Sequence, residues 1–165
     1  MPGSALAPVT HPPRVLQLLG LIDQFVDKAQ LIEAGADAAG DTLARIAEDT
    51  ELLAYPRIRA AAYLGAFDSK KTRARLRSMV FDRTIQPLEI RIQAMRSMAL
   101  LEGRGASEVL VTLLANEERE VRAGAARLLG RLGEAEILRK RLALNLEPDA
   151  YVRSVLVQYA SQSAR

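Results

Sequence analysis

An apolar residue followed by arginine recurs four times in this chain at nearly constant spacing. The pairs begin at Ile58, Ile90, Val121 and Val152, so that successive starts lie 32, 31 and 31 residues apart. The residues four and eight positions after each start are also apolar. On an α-helix these positions fall on one side, which predicts a buried stripe in each segment. A fixed period of this length is typical of a stacked array of helices.

The fullest copy of the pattern, residues 121–133, reads VRAGAARLLGRLG. The small residue at its fifth position, Ala125, allows another helix to approach closely. We expect each repeat to contain a helix A, a short turn and a helix B. The apolar face of one such pair is too large to be buried alone, and stacking the pairs buries it.

Three parts of this copy resemble the HEAT-repeat family, in the short bacterial form seen in phycobilisome-lyase-type repeats. They are Val121 with Arg122, the alanine pair at 125–126, and the Leu-Leu-Gly at 128–130. Weaker copies extend the resemblance over about residues 41–160. It implies an all-α fold, a right-handed α-α superhelix (a HEAT-like solenoid) of about four helix pairs plus an N-terminal capping helix. The family is mostly a scaffold for binding, so the resemblance implies no particular chemistry.

Composition and turn residues divide the chain into a leader and one helical domain. Residues 1–13 hold four of the seven prolines and are predicted to be a flexible leader. Residues 14–165 are predicted to form a single domain that begins with one helix at 14–34. That helix either caps the end of the array or mediates dimerisation. The predicted helix-pair repeats then span 41–68, 69–103, 105–133 and 134–165.

Short polar residues predict where some of these helices begin. Asp41 is predicted to cap a helix that runs to about Ala54, and Ser69 to cap the helix over 70–81. Both positions precede an apolar pattern at helical spacing, which is the usual setting of an N-cap.

The composition excludes several kinds of site. The chain has no cysteine and only one histidine, His11, so we expect no disulfide, no thiolate or histidine metal site and no histidine-activated nucleophile. No glycine-rich phosphate loop follows a strand pattern. We therefore expect no cofactor, no metal and no enzymatic activity. No membrane span or secretion signal is recognised either, which predicts a cytoplasmic protein without a membrane partner.

The densest basic segment, Lys70–Arg77, has two interpretations. It either contacts a phosphate backbone or forms a solvated face of helix A with Leu76 turned inward. We favour the solvated face, because the segment lacks the interleaved aromatic residues that stack on bases. The smaller basic run Arg139–Arg141 is interpreted in the same way.

The arginines that follow the apolar starts lie at the margin of the buried stripe. The resemblance to HEAT repeats implies that they form a structural ladder, in which each bonds to acidic or carbonyl groups between repeats. The predicted ladder residues are Arg59, Arg91, Arg122 and Arg153.

The positions three, six and ten residues after each start lie opposite the buried stripe, and the resemblance implies that helix B lines a concave surface. These positions hold Ala61, Leu64, Asp68, Gln93, Arg96, Leu100, Gly124, Arg127, Arg131, Val155, Gln158 and Gln162. Plain solvent exposure is the alternative interpretation of this stripe. The residues predicted to bind a partner are Gln93, Arg96, Arg127, Arg131, Gln158 and Gln162.

The leading functional hypothesis is a protein-protein interaction scaffold or adaptor. Its basic and amide side chains suit an acidic helix or peptide as the partner. The first alternative is duplex DNA binding through a basic groove, by analogy with HEAT-like DNA glycosylases. The second is an accessory subunit of a lyase-type enzyme. A homodimer through the terminal helices is a separate hypothesis.

Overall fold

The computed structural model describes residues 10–22, 24–38, 40–85 and 87–161. Within those ranges the chain is helical and contains no strand, which confirms the expected all-helical class. The α-helices are α1 (Pro13–Gly20), α2 (Lys28–Glu33), α3 (Asp41–Glu48), α4 (Ala54–Tyr63), α5 (Lys70–Phe81), α6 (Leu88–Glu102), α7 (Ser107–Leu113), α8 (Arg119–Arg131), α9 (Ala135–Ala143) and α10 (Ala150–Ala160). Short 3₁₀ segments span Leu64–Ala66 and Gly103–Ala106.

Four helices, α4, α6, α8 and α10, carry the repeated motif, and we call them the B helices. They pack in chain order, since α4 contacts α6, α6 contacts α8, and α8 contacts α10. Each is preceded by a helix that packs against it, and we call α3, α5, α7 and α9 the A helices. Each of the four predicted repeat spans thus contains one A helix and one B helix.

Glycines in α8 allow its neighbours to approach closely. A side-chain carbon at Gly124 would lie 2.5 Å from the terminal methyl of Met95 in α6. One at Gly130 would lie 2.6 Å from the Cβ of Tyr159 in α10. Both distances are shorter than any ordinary carbon-carbon contact. The methyl of Met95 ends a flexible side chain, whereas the Cβ of Tyr159 is fixed to the backbone, so Gly130 sets the close spacing of α8 and α10.

Arg57 of α4 and Arg91 of α6 occupy equivalent positions. Both are buried. The Nε of Arg57 donates to the carbonyl of Ala47, the next-to-last residue of α3, at 3.2 Å. The Nε of Arg91 donates to the carbonyl of Val80, the next-to-last residue of α5, at 3.4 Å. The two repeats are therefore in register when Arg57 is aligned with Arg91.

The first repeat consequently begins at Pro56, two residues before the predicted start at Ile58. The prediction was wrong because proline takes the place of the usual apolar residue, while the following Ile58-Arg59 pair matches the motif by chance. The shift moves Ala61 and Leu64, which were predicted to face solvent, into the core, where both are fully buried. It also moves Arg59 off the predicted ladder.

The single helix predicted over 14–34 is instead two helices. Helix α1 packs on α4, and the chain turns extended at Leu21, whose carbonyl accepts a hydrogen bond from Arg59. Asp27 then starts α2 with a capping box, in which its carboxylate accepts from the amide of Gln30 at 2.8 Å. These specific hydrogen bonds override an apolar stripe that would otherwise favour one continuous helix.

The end of the predicted leader is held against the helical domain. Residues 1–9 lie outside the described residues. The Nε2 of His11 lies 2.7 Å from Oδ2 of Asp49, and the His11 side chain is only 4% exposed. Helix α1 begins at Pro13, one residue before the predicted boundary. His11, which belongs to the predicted leader, therefore contacts the helical domain.

One of the two predicted N-caps is correct. Ser69 accepts a hydrogen bond from the amide of Thr72 and caps α5. At α3, however, Asp41 is already helical, and the carboxylate of Asp37 accepts from the amides of Asp41 and Thr42 at 3.0 and 2.6 Å. The helix also ends at Glu48 rather than near residue 54. An aspartate one turn further back thus caps the helix from outside it.

Candidate functional site

One side of the B helices lies opposite their buried stripe, and we call it the B face. In the corrected register the motif starts are Pro56, Ile90, Val121 and Val152. The B face comprises the residue just before each start and the residues three, six and ten positions after it, which fall within an arc of about 60° on the helix. These residues are Tyr55, Arg59, Ala62, Ala66, Glu89, Gln93, Arg96, Leu100, Glu120, Gly124, Arg127, Arg131, Tyr151, Val155 and Gln158. All but Val155 are half-buried or exposed. Because the B helices pack in order, equivalent positions lie side by side, about 10 Å apart.

The structure places five of the six predicted partner-binding residues together on the B face. Arg96, Arg131 and Gln158 are exposed, while Gln93 and Arg127 are half-buried. The sixth, Gln162, lies outside the described residues. Two other positions of the predicted stripe differ from the expectation, since Val155 is 4% exposed and Gly124 is half-buried against Met95.

The arginines of α6 and α8 on the B face lack carboxylate partners. Arg96 and Arg131 form no hydrogen bond or ion pair with any described residue. Arg127 donates to the hydroxyl of Tyr151, and its guanidinium carbon lies 5.6 Å from the centroid of that ring. A tyrosine orients this guanidinium without neutralising its charge. Arg59, the B-face arginine of α4, donates only to carbonyls and tyrosine hydroxyls. The B face therefore carries four positive charges that no described acidic side chain compensates, three of them on α6 and α8.

Acidic residues are present on the B face but lie apart from this basic group. Glu89 and Glu120 occupy the position just before the motif start, near the N-termini of α6 and α8. There they interact favourably with the helix dipoles. The carboxylate of Glu120 is paired with Arg119 at 2.8 Å. The surface is therefore graded, with carboxylates along one edge and guanidinium groups along the other.

The basic segment Lys70–Arg77 is neutralised by intramolecular ion pairs. The pairs are Lys71 with Asp41, Arg73 with Asp68, Arg75 with Asp41 and Glu48, and Arg77 with Glu102. Leu76 is buried, as the solvated-face interpretation expects. The hydrogen bond from Arg73 also lowers the pKa of Asp68. The densest basic run in the sequence thus has most of its charge compensated within the chain.

Two predicted ladder arginines connect one repeat with the next. The Nη1 of Arg91 donates to Glu118, in the turn before α8, at 2.7 Å. Arg122 forms a two-pronged pair with Glu147, in the turn before α10, through Nε and Nη2 at 3.0 Å each. Neither glutamate was predicted as a ladder residue. The available signal is a glutamate in the turn three residues before Val121 and five before Val152.

The other two predicted ladder residues have different contacts. The Nη1 of Arg153 donates to the carbonyls of Glu147 and Pro148, at 2.9 Å each, within its own repeat. Arg59 lies on the B face, and its Nη2 donates to the carbonyl of Gln24 at 2.8 Å. Arg59 therefore attaches the segment between α1 and α2 to α4 instead of joining two repeats.

Glu147 is the acidic centre of the contact between α8 and α10. Its side chain is 1% exposed and accepts from Arg122, from Arg141 at 3.4 Å and from the amide of Asp149 at 3.1 Å. Burial by itself raises the pKa of Glu147, but the hydrogen bonds from Arg122 and the Asp149 amide lower it further, so the pKa lies below its ordinary value. The carboxylate is thus held in its charged form.

An apolar groove of about 630 Å³ opens where α4 reaches the B face. Its lining includes Phe25, Tyr55, Ala62, Ala66 and Leu100. Phe25 is 86% exposed and Leu100 is 74% exposed, so both present apolar surface to solvent at the groove. This groove was not predicted from the sequence, because the loop that carries Phe25 was assigned to a helix.

The described part of the chain holds no group of three or more His, Asp or Glu side chains that could bind a metal ion. None of its helices is long and apolar enough to cross a membrane. No protein-family model matches the sequence, and no curated protein matches it either. The resemblance to HEAT repeats therefore depends on the residues that carry it.

Proposed function

We propose that this protein is a non-enzymatic interaction scaffold, a HEAT-like solenoid whose B face binds an acidic segment of another protein. The observation that carries the proposal is the group of uncompensated arginines, Arg96, Arg127 and Arg131, on one face of two adjacent helices. Carboxylates of a partner would form charge-assisted hydrogen bonds with these guanidinium groups.

The packing of the B helices supports this proposal, because it presents the arginines on a rigid frame. Gly130 of α8 packs against the Cβ of Tyr159, so α8 and α10 have little room to slide. In addition, Ser97 of α6 donates to the carbonyls of Ala61 and Ala62 of α4 at 2.8 and 3.0 Å. A surface that is ordered before binding loses less conformational entropy when a partner docks.

The charge pattern favours an acidic protein segment over duplex DNA. A duplex needs a continuous basic surface, because its phosphates repeat at short, regular intervals. On the B face, Glu89 and Glu120 occupy one edge, so the basic surface does not extend across the whole face. The segment Lys70–Arg77, the other basic candidate, is paired with carboxylates. We therefore expect no duplex binding in a titration at low salt, and tight, salt-sensitive binding would contradict the proposal.

The direct test compares two charge-reversed variants in a quantitative pull-down from the native cell. The first is Arg96→Glu with Arg131→Glu, on the B face. The second is Arg45→Glu with Lys70→Glu, on A helices, where both residues are exposed and lack a carboxylate partner among the described residues. Both variants change the net charge equally, and all four substitutions replace exposed side chains.

We expect the B-face variant to recover at least about tenfold less of the partner than the wild type, as for interface residues that each contribute more than 1 kcal/mol. The A-helix variant should retain it. Circular dichroism and thermal melting of both variants should match the wild-type protein. Equal recovery of every co-purifying protein by the two variants would refute the proposed surface.

A further inference from the structure

We propose that the apolar groove beside α4 anchors one bulky apolar side chain of the partner, and that the partner binds as an extended peptide with carboxylates on one side of this anchor. This inference depends on the proposed function, since it describes the partner of the same face. The arginines define the partner only by its charge. The groove adds an apolar anchor residue, the orientation of the bound peptide and the spacing between the anchor and the carboxylates.

The shape of the groove fits a side chain of the size of leucine or phenylalanine. The small residues Ala62 and Ala66 contribute to its lining, as do the exposed rings of Phe25 and Tyr55 and the side chain of Leu100. The volume of about 630 Å³ lies within the range of concave sites that bind ligands. Covering Phe25 and Leu100 removes apolar surface from water, and each would contribute favourably to binding.

The wall of the groove is fixed before any partner arrives. Arg59 donates to the carbonyls of Leu21 and Gln24 and, at 2.6 Å, to the hydroxyl of Tyr63. The same hydroxyl accepts from the amide of Val26 at 3.0 Å. Three of these hydrogen bonds connect the segment beside Phe25 to α4, and the one between Arg59 and Tyr63 holds the two α4 side chains together. A preformed pocket of this kind has a lower ordering cost on binding than a flexible loop.

The groove is continuous with the uncompensated arginines. Leu100, in its lining, lies one helical turn from Arg96 on the same side of α6. Arg127 and Arg131 hold the equivalent positions of α8, the next helix, about 10 Å away. An extended chain advances about 3.3 Å per residue, so one helix spacing corresponds to about three residues. The expected partner has an apolar anchor with one carboxylate nearby and another about three residues further on.

The test starts with selection of a random displayed-peptide library on the full chain. The enriched peptides should share a bulky apolar residue followed by acidic residues at this spacing. One enriched peptide is then labelled with fluorescein, and its dissociation constant is measured by anisotropy. Four proteins are compared: the wild type, Ala62→Trp, Arg131→Glu and a control, Ala74→Trp. Ala74 is an exposed alanine of α5, away from the groove.

We expect Ala62→Trp to fill the groove and weaken binding at least about tenfold, because it excludes the anchor. Arg131→Glu should weaken binding as well, and Ala74→Trp should not. Loss of binding in Arg131→Glu alone would overturn the groove and leave the proposed function intact. Unchanged binding in both variants, or a library without any enriched peptide, would overturn both. Enriched peptides that are acidic but lack an apolar residue would also refute the anchor.

Discussion

Arg122 and Arg127 lie five residues apart on α8, yet their surroundings are opposite. Arg122 is 11% exposed, forms a two-pronged pair with Glu147 and donates to the carbonyls of Asn116 and Glu117 at 2.8 Å each. Arg127 reaches only a tyrosine hydroxyl, and Arg131, one turn further on, has no partner among the described residues. One side of the helix has its arginine compensated by the next repeat, and the other presents guanidinium groups to solvent.

This contrast teaches that the number of basic residues is a poor guide to a binding surface. What matters is whether each charge already has a partner within the chain. The segment Lys70–Arg77 has the highest density of positive charge and is largely paired. The B face has four basic residues, all arginines and spread over three helices, and none of them has a carboxylate partner among the described residues. A partner gains more from the second arrangement, since no existing ion pair has to be broken.

The largest effect is expected from Arg122→Ala. The substitution leaves Glu147 buried without its principal partner, and removal of one member of a buried ion pair costs about 3 kcal/mol or more. Urea denaturation should show this loss in the free energy of unfolding. A loss below about 1 kcal/mol would mean that this arginine is no better compensated than those of the B face.

A smaller, pH-dependent effect is expected from Glu147→Gln. The folded-state pKa of Glu147 is lowered, so its charged form stabilises the fold above the unfolded-state pKa of about 4.3. That contribution is lost as the pH falls through the lower folded-state pKa. At pH 7 we expect the variant to be about 1–3 kcal/mol less stable, as for hydrogen bonds to charged groups.

Urea denaturation of both proteins at several pH values measures how this difference varies. It should shrink progressively below about pH 4, where the wild-type protein loses the same charge. A difference that stays constant between pH 7 and pH 3 would show that the charge of Glu147 is not its source.

A weaker effect is expected from Arg75→Ala on the exposed side of α5. Arg75 lies 3.0 Å from Glu48 and 3.7 Å from Asp41, and pairs this exposed contribute about 0.5 kcal/mol. Burial raises the pKa of Glu48, and Arg75 opposes that rise. The substitution should therefore raise the pKa of Glu48 further, and an NMR titration of its side chain measures this. An unchanged pKa would contradict the pairing.

The sequence predicted the later repeats better than the N-terminal part of the helical domain. The starts at Ile90, Val121 and Val152 coincide with buried residues of successive B helices. Packing against two neighbouring helices requires apolar residues at fixed spacing in these B helices, so the sequence pattern predicts them. The first repeat was misplaced because Pro56 interrupts the pattern. The break in 14–34 depends in part on hydrogen bonds between this segment and α4, which no local pattern records. The capping box of Asp27 and Gln30 is a local signal that was overlooked.

The candidate surface was also predictable in part, because the spacing of the buried stripe determines which residues lie opposite it. Helical geometry placed Arg96, Arg127 and Arg131 opposite the buried stripe, and the structure has all three on the B face. Whether each has a partner depends on residues in other repeats, which spacing alone does not identify. The groove beside Phe25 was missed because it is formed by a loop and two helices that are distant in sequence.

The smallest effect is expected from Arg131→Gln. The arginine repels Arg127, one turn away, which costs about 0.2–0.5 kcal/mol, but it lies in the last turn of α8, where a positive charge contributes about 0.3–1 kcal/mol. The two contributions oppose each other, and no hydrogen bond is lost. The free energy of unfolding should therefore change by less than about 0.5 kcal/mol at low salt, and by less still at high salt, where both contributions are screened. A loss comparable to that of Arg122→Ala would show that the B-face arginine also has a structural partner, and the contrast between the two sides of α8 would no longer hold.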